Sequence, residues 1–249
     1  MRYFIELAFK GSNYFGWQVQ PDAISVQEVL SKALSTILRE EIAVVGAGRT
    51  DAGVHASHMV AHFDTEVSLD ENLKGRLNSL MADDVVVYSI YRVKDDAHAR
   101  FDALDRSYRY RIILGRNPFE LDTTWQIHTK RFDLDKMNAA AQIMLTYTDF
   151  KCFSRSKTDV HTYDCEIFEA LWTKRGEELH FDIRANRFLR NMVRAIVGTL
   201  LEVGQGTLSL NEFIQVIESR DRTNAGKSAP AKGLYLSRIN YPKEIIYGV

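Results

Sequence analysis

The order in which two hydrophobic periods alternate along the first hundred residues leaves few folds open to this chain. Arg2 to Phe9 alternates, with Tyr3, Ile5 and Leu7 on one face, which predicts a strand. Ser25 and Glu28 form a capping-box pattern, and Val26, Val29, Leu30, Ala33, Leu34, Ile37 and Leu38 keep helical spacing behind it. Residues 26–39 therefore read as an amphipathic helix. Short strands follow at 42–45 and about 57–63. A second capping box, Ser68 with Glu71, opens a helix carrying Leu69, Leu73, Leu77 and Leu80, and residues 85–93 close the series as a strand. The order β-α-β-β-α-β is the split βαβ, or ferredoxin-like, arrangement. Between the first strand and the first helix, GSNYFGWQVQ (11–20) reads as a turn followed by aromatics, expected at the surface rather than in the core.

The second half repeats the theme. Ser107 to Leu114 alternates as a strand, and Asp133 caps a helix through about Leu145 with Leu134, Met137, Ala141 and Leu145 as its stripe. Cys165 to Thr173 and Leu179 to Ile183 predict a hairpin around residues 174–178. Asn186 to Val203 reads as one long helix, Ser209 with Glu212 caps another through about Ile217, and Leu234 to Tyr241 is the last strand. The expectation is an α+β protein of two ferredoxin-like halves, residues 1–104 and 105–249, with a largely antiparallel sheet. No internal sequence repeat is visible, so the duplication rests on element order.

The residues that carry chemistry cluster first between Gly46 and His62, GAGRTDAGVHASHMVAH. Arg49, Thr50 and Asp51 stand between glycines at 46, 48 and 53, which lets the backbone turn tightly and a ligand approach closely. Apolar runs flank the segment, so it reads as a polar loop between two strands, where function concentrates. His55, His58 and His62 near Asp51 also invite a metal-dependent nuclease or hydrolase reading. The alternation of MVAHFDT argues against it, because strand residues four apart share a face but lie too far apart for one ion. The glycines make a poor phosphate loop, since no G-K-[ST] follows. The second cluster is the predicted helix 186–203, where Arg187, Arg190 and Arg194 fall at i, i+3 and i+7 on one stripe. No acid occurs from Ala185 to Leu201, so these arginines are available to phosphates or to a buried carboxylate.

A formal net charge of −1 supplies no global field for nucleic acid, so a polyanion would be held by a local basic patch. Two cysteines, Cys152 and Cys165, sit in no C-x-x-C pair and fit a reducing compartment. The N-terminus lacks the apolar core of a signal peptide and no run reaches bilayer length, so the expected location is cytoplasmic.

The stretch GRTDAGVHA (48–56) resembles the signature of the tRNA pseudouridine synthases of the TruA type. The likeness extends to GSNYFGWQVQ, to ARFDALDRSYRY (99–110), to NxF, MVR and VGTLLEVG within residues 186–204, and to DRTNAGKSAPAKGLYL (221–236). It departs at Lys151 and Cys152 and at HTYDC (161–165). The resemblance implies a two-half pseudouridine-synthase fold with Asp51 as the catalytic carboxylate. Arg194 would hold Asp51 ionised, Tyr108 would stack on the target base and take its C5 proton, and Leu234 would line the uracil site. Arg49 would fill the space left by a flipped-out uridine. Arg187, Arg190, Arg100 and Arg106 are expected to meet phosphates, with Arg109 beside them. The substrate implied is tRNA, at positions 38, 39 and 40 of the anticodon stem-loop, with no cofactor and no metal, in a homodimer. A non-catalytic RNA-binding module is the remaining rival, although neither half shows an aromatic RNP strand pattern.

Overall fold

The computed structural model describes residues 1–128, 131–155 and 161–247. It is a mixed α/β protein with mostly antiparallel strand pairing, and it divides into two compact units, Met1–Leu104 with Tyr235–Val249, and Asp105–Leu234.

In the first unit β1 (Arg2–Phe9) is the central strand. It pairs antiparallel with β3 (His55–Asp64) on one side and β4 (Val85–Arg92) on the other, and β2 (Val45–Gly46) pairs antiparallel with β3. Helix α1 (Val26–Leu38) begins at Ser25, whose hydroxyl accepts the Glu28 N–H at 3.2 Å, and it buries Val26, Leu30, Ala33 and Leu34. A cap of this kind stabilises a helix by about 1 kcal/mol, and full burial of each Val or Leu by roughly 1.5–3 kcal/mol. Helix α2 (Leu73–Leu80) is shorter than its leucine spacing suggested. The Ser68–Glu71 box does not start it; Asp70 accepts the Asn72 N–H at 2.8 Å and turns the chain in just ahead of Leu73. Leu80 is exposed, so the buried stripe is only Leu73 and Leu77.

Two of the aromatics expected at the surface between β1 and α1 lie in the core. Trp17 is 1% exposed, packed against Phe9 and beneath Gly46, and Tyr14 is buried with its hydroxyl donating to Asp84 at 2.6 Å. Phe15 is exposed as expected. The chain's last strand, β9 (Leu234–Asn240), runs parallel to β3, with Tyr235 opposite His55 and Leu236 opposite Ala56.

The second unit is built on β5 (Asp105–Leu114), which pairs antiparallel with β8 (Glu178–Ala185) and parallel with the short β6 (Trp125–Ile127). Strand β7 (Ile167–Arg175) forms the predicted hairpin with β8. Helix α3 (Leu134–Met144) is capped by Asp133 and buries Met137, Ala140, Ala141 and Met144, a stripe shifted from the predicted one, because Leu134 and Leu145 sit at its ends half-exposed. Helix α5 (Leu210–Ser219) carries the complete capping box of Ser209 and Glu212.

The long helix predicted over 186–203 is α4, Met192–Gly204. Residues 186–191 are not helical: Asn191 stands at φ +66, in the left-handed region, and its amide donates to the Ser228 hydroxyl at 2.7 Å. Asn186 is tied instead to the start of β7, donating its N–H to the Glu166 carbonyl at 3.1 Å and accepting the Glu166 N–H on its side chain at 2.9 Å. The i, i+3, i+7 stripe therefore does not exist as a helical face. Arg194 lies in the first turn of α4, while Arg187 and Arg190 lie on the segment that leads into it. Among the described residues no helix is long and apolar enough to cross a membrane.

Candidate active site

Asp51 is half-buried in a loop between β2 and β3, and the local backbone explains why it stays there. The Val54 N–H donates to the Asp51 carbonyl at 3.1 Å, closing a turn through Gly53. Residues 11–16 lie directly against this turn. The Gly53 N–H donates to the Tyr14 carbonyl at 3.3 Å, and the Gly11 N–H donates to His55 Nδ1 at 3.0 Å. No side chain fits between the two segments. A Cβ on Gly11 would fall 2.0 Å from the Val54 carbonyl oxygen, and one on Gly16 would fall 2.2 Å from that of Thr50. Gly16 also stands at φ +89, where other residues are strained. Backbone meets backbone at both ends of the loop, so the glycines of 11–16 set where Asp51 sits. Arg49, next but one in the loop, is exposed and makes no hydrogen bond or ion pair among the described residues. The Thr50 hydroxyl oxygen is buried with no hydrogen-bond partner among the described residues.

The three histidines downstream of Asp51 point to three different places. His55 is 1% exposed, its ring stacked on Tyr235 at a centroid distance of 4.6 Å. His58 Nδ1 accepts the Ile239 N–H at 3.2 Å, and its Nε2 lies 3.8 Å from the Glu6 carboxylate. His62 is buried, Nδ1 accepting the Ala99 N–H at 3.1 Å, its ring edge-on to His98. Each imidazole commits Nδ1 to a different backbone amide, so the trio is structural, and among the described residues no three His, Cys, Asp or Glu side chains are grouped to hold a metal ion. Glu6 is held near 2, first by the hydrogen bond from His58 and then by Ser89 and Tyr91, against the opposing effect of burial. Arg100 belongs to the same unit: its backbone N–H donates to His98 Nδ1 at 3.0 Å and its guanidinium lies over the Phe101 ring.

In the second unit, β5 and the segment entering α4 gather the other candidates. Tyr108 is half-buried on β5 opposite Ile183, its ring edge-on to Phe188 at 5.1 Å. Arg106, two residues earlier on the same face, donates to the Asn186 carbonyl at 3.0 Å. Arg109 faces the other way and forms a two-pronged ion pair with Asp182 at 2.7 and 3.1 Å, so its charge is already matched. Arg187 is half-buried and Arg190 exposed.

Arg194 is fixed by a close crossing. A Cβ on Gly198 of α4 would fall 1.8 Å from the Lys227 carbonyl oxygen, so residues 226–229 run directly over the helix. There the Ala229 N–H donates to the Arg194 carbonyl at 2.9 Å, and Arg194 Nε donates to the Ala229 carbonyl at 2.7 Å. Tyr110 continues the series, its hydroxyl donating to the Pro230 carbonyl at 2.7 Å and its ring lying against Gly233. Leu234 follows, buried at the start of β9. Sequence reasoning did not find the roles of Gly11, Gly16, His55 and Gly198. The signal available was three glycines and one histidine inside or beside the motifs, and it becomes meaningful only when the crossing backbone and the ring of Tyr235 are known.

Asp51, Arg194 and Leu234 lie in segments that the chain shares with a known family, and Arg106 and Tyr108 lie between those segments. A sequence model of the family described as tRNA pseudouridine synthase matches residues 7–102 and 140–242, which takes in Asp51, Arg194 and Leu234. "tRNA pseudouridine synthase A" of Bacteroides fragilis is 53% identical over 247 residues, covering 98% of both chains. The protein of that name from Porphyromonas gingivalis is 49% identical over 249 residues, again 98% of each chain. That from Bacillus licheniformis is 38% identical over 245 residues, covering 97% of this chain and 99% of its own. Identity of this depth along both units, with the Gly-braced Asp51 loop inside the matched span, means that the chain belongs to the tRNA pseudouridine synthase family.

Proposed function

We propose that this chain isomerises uridine to pseudouridine in tRNA, acting on positions 38, 39 and 40 of the anticodon stem-loop. The observation that supports it best is the Asp51 loop: a half-buried carboxylate, held by backbone contact between glycine-bearing segments, in a chain of this family. The reaction breaks the N1–C1′ glycosidic bond, turns the uracil and joins C5 to C1′. It transfers no electrons and adds no water, so it calls for no cofactor. Asp51 acts on ribose C1′ or uracil C6, or assists departure of the base, and needs to be an anion to do so. Arg194 is the cation assigned to keep it ionised, since an adjacent positive charge favours the carboxylate. Tyr108 stacks on the uracil and takes the C5 proton, and Leu234 lines the uracil site.

A stem uridine must leave the helix to react, at a cost of roughly a few kcal/mol. Arg49, exposed beside Asp51, is the side chain proposed to occupy the vacated space. Arg100, Arg106, Arg187 and Arg190 are the proposed phosphate contacts, acting from separate local positions rather than as one helical stripe. The finer fold reading is two ferredoxin-like halves. It draws support from the strand order β4-β1-β3-β2 in the first unit and from the chain order β5-β6-α3-β7-β8-α4-α5-β9 thereafter, which holds a β-α-β-β-α-β series once the short β6 and the second helix α5 are set aside. We further propose a homodimer that works in the cytoplasm.

The test is pseudouridine mapping in tRNA incubated with the purified protein, alongside Asp51→Asn. That substitution keeps shape and removes the anion. The expected result is loss of C5-hydrogen release with tRNA binding retained, and full wild-type activity in the presence of chelator. C5-hydrogen release at the wild-type rate by Asp51→Asn would remove Asp51 from the mechanism.

A further inference from the structure

His55 is buried four residues after Asp51, where the loop, residues 11–16 and β9 converge, and no step of the isomerisation uses it. At 1% exposure its ring cannot touch a substrate. Among its partners are two segments far apart in the chain: Nδ1 accepts the Gly11 N–H at 3.0 Å, and the ring face lies on Tyr235 with planes 23° apart. Gly11 is itself buried, so its N–H has no water to turn to if that acceptor is lost.

We propose that His55 is a positioning residue for the Asp51 carboxylate, anchoring residues 11–16 against the backbone of residues 50–54. The inference rests on the reading of Asp51 as the catalytic group. The coupling is direct because the Gly11–Val54 and Gly16–Thr50 contacts are backbone on backbone, with no flexible side chain between them to absorb a shift. A segment released at Gly11 moves the floor on which Thr50 and Asp51 rest. Displacement of a reacting group by about 1 Å lowers rates by up to about 100-fold without new contacts to substrate being lost. The effect belongs in kcat, because the arginines assigned to the tRNA phosphates, Arg100, Arg106, Arg187 and Arg190, lie outside these two segments.

His55→Leu and His55→Asn separate the two contributions, since both lose the stack on Tyr235 and only asparagine keeps an acceptor near the place of Nδ1. With C5-hydrogen release from a tRNA transcript as readout, His55→Leu is expected to lower kcat by about 10- to 100-fold with KM within about twofold of wild type. His55→Asn is expected to recover most of that loss. Equal kcat in the two variants, or a loss confined to KM, overturns the proposal. Should His55→Leu not fold, His55→Gln replaces it, its acceptor one methylene further out; wild-type kcat there also overturns the proposal. Asp51→Asn is run alongside. Activity in that variant sinks the reading of Asp51, whereas an inactive Asp51→Asn with equal kcat in the His55 pair sinks only the positioning role.

Discussion

A single methyl group at Gly16 would have nowhere to go. Its Cβ would meet the Thr50 carbonyl oxygen at 2.2 Å, and the backbone at φ +89 is one that alanine adopts only under strain. Gly16→Ala is therefore expected to cost roughly 1–3 kcal/mol of stability in urea unfolding. Because the clash is with the residue before Asp51, it should also reduce turnover in the fraction that stays folded. Retention of both wild-type stability and wild-type rate would show that residues 11–16 do not brace the loop. Asp51 and its neighbours were legible in the sequence because an Arg-Thr-Asp run between glycines is unusual composition flanked by apolar strands. Trp17 and His55 were not. Their burial depends on Gly46 and on Tyr235, partners 29 and 180 positions away, and no local pattern announces a contact of that span.

At the scale of elements, hydrophobic period identified nearly every helix and strand, and failed where side-chain hydrogen bonds intervened. The apolar spacing from Leu189 through Leu200 continues without a break, which is why 186–203 reads as one helix. Yet Asn186 and Asn191 satisfy backbone and hydroxyl partners outside it, and the helix begins only at Met192. Asparagine competes with helical hydrogen bonding in this way and tolerates the left-handed region. Asn191→Ala should cost about 2 kcal/mol, combining left-handed strain with the lost bond to Ser228, and Asn191→Gly should recover the conformational part. Thermal melts of the two variants check it. Equal melting temperatures would mean that φ at 191 is not what sets the start of α4. The false start at Ser68 has a similar cause: Asp70 takes the turn that a Ser-Glu box would have made.

For the molecule as a whole, one buried and one half-buried group of the first unit predict how stability follows pH. His62 is lowered from 6.5 to about 4, foremost by burial and then by Arg2 and His98. Below pH 6.5 the unfolded chain takes up a proton that the folded chain refuses, so stability falls as pH drops toward 4. Glu6, lowered from 4.5 to about 2, contributes stability that is complete above pH 4.5 and lost on the way to 2. The urea midpoint should therefore decline in two successive stages on acidification. His62→Asn, which keeps an acceptor for the Ala99 N–H without titrating, should flatten the upper stage, by on the order of 2 kcal/mol, and leave the lower one. An unchanged upper stage would place its origin elsewhere.

The pairing of β9 with β3 sets a schedule for the chain's synthesis. Residues 55 and 56 leave the ribosome early and wait for residues 235 and 236, so Tyr235 reaches His55 only after the whole second unit has been made. A nascent chain can form β1, α1, β3 and β4 and still lack the ring on which His55 rests. If His55 sets Asp51, the Asp51 loop acquires its final geometry only after the second unit has been translated, and a nascent chain that has not reached Tyr235 cannot act on the tRNAs crowded around the ribosome that is making it.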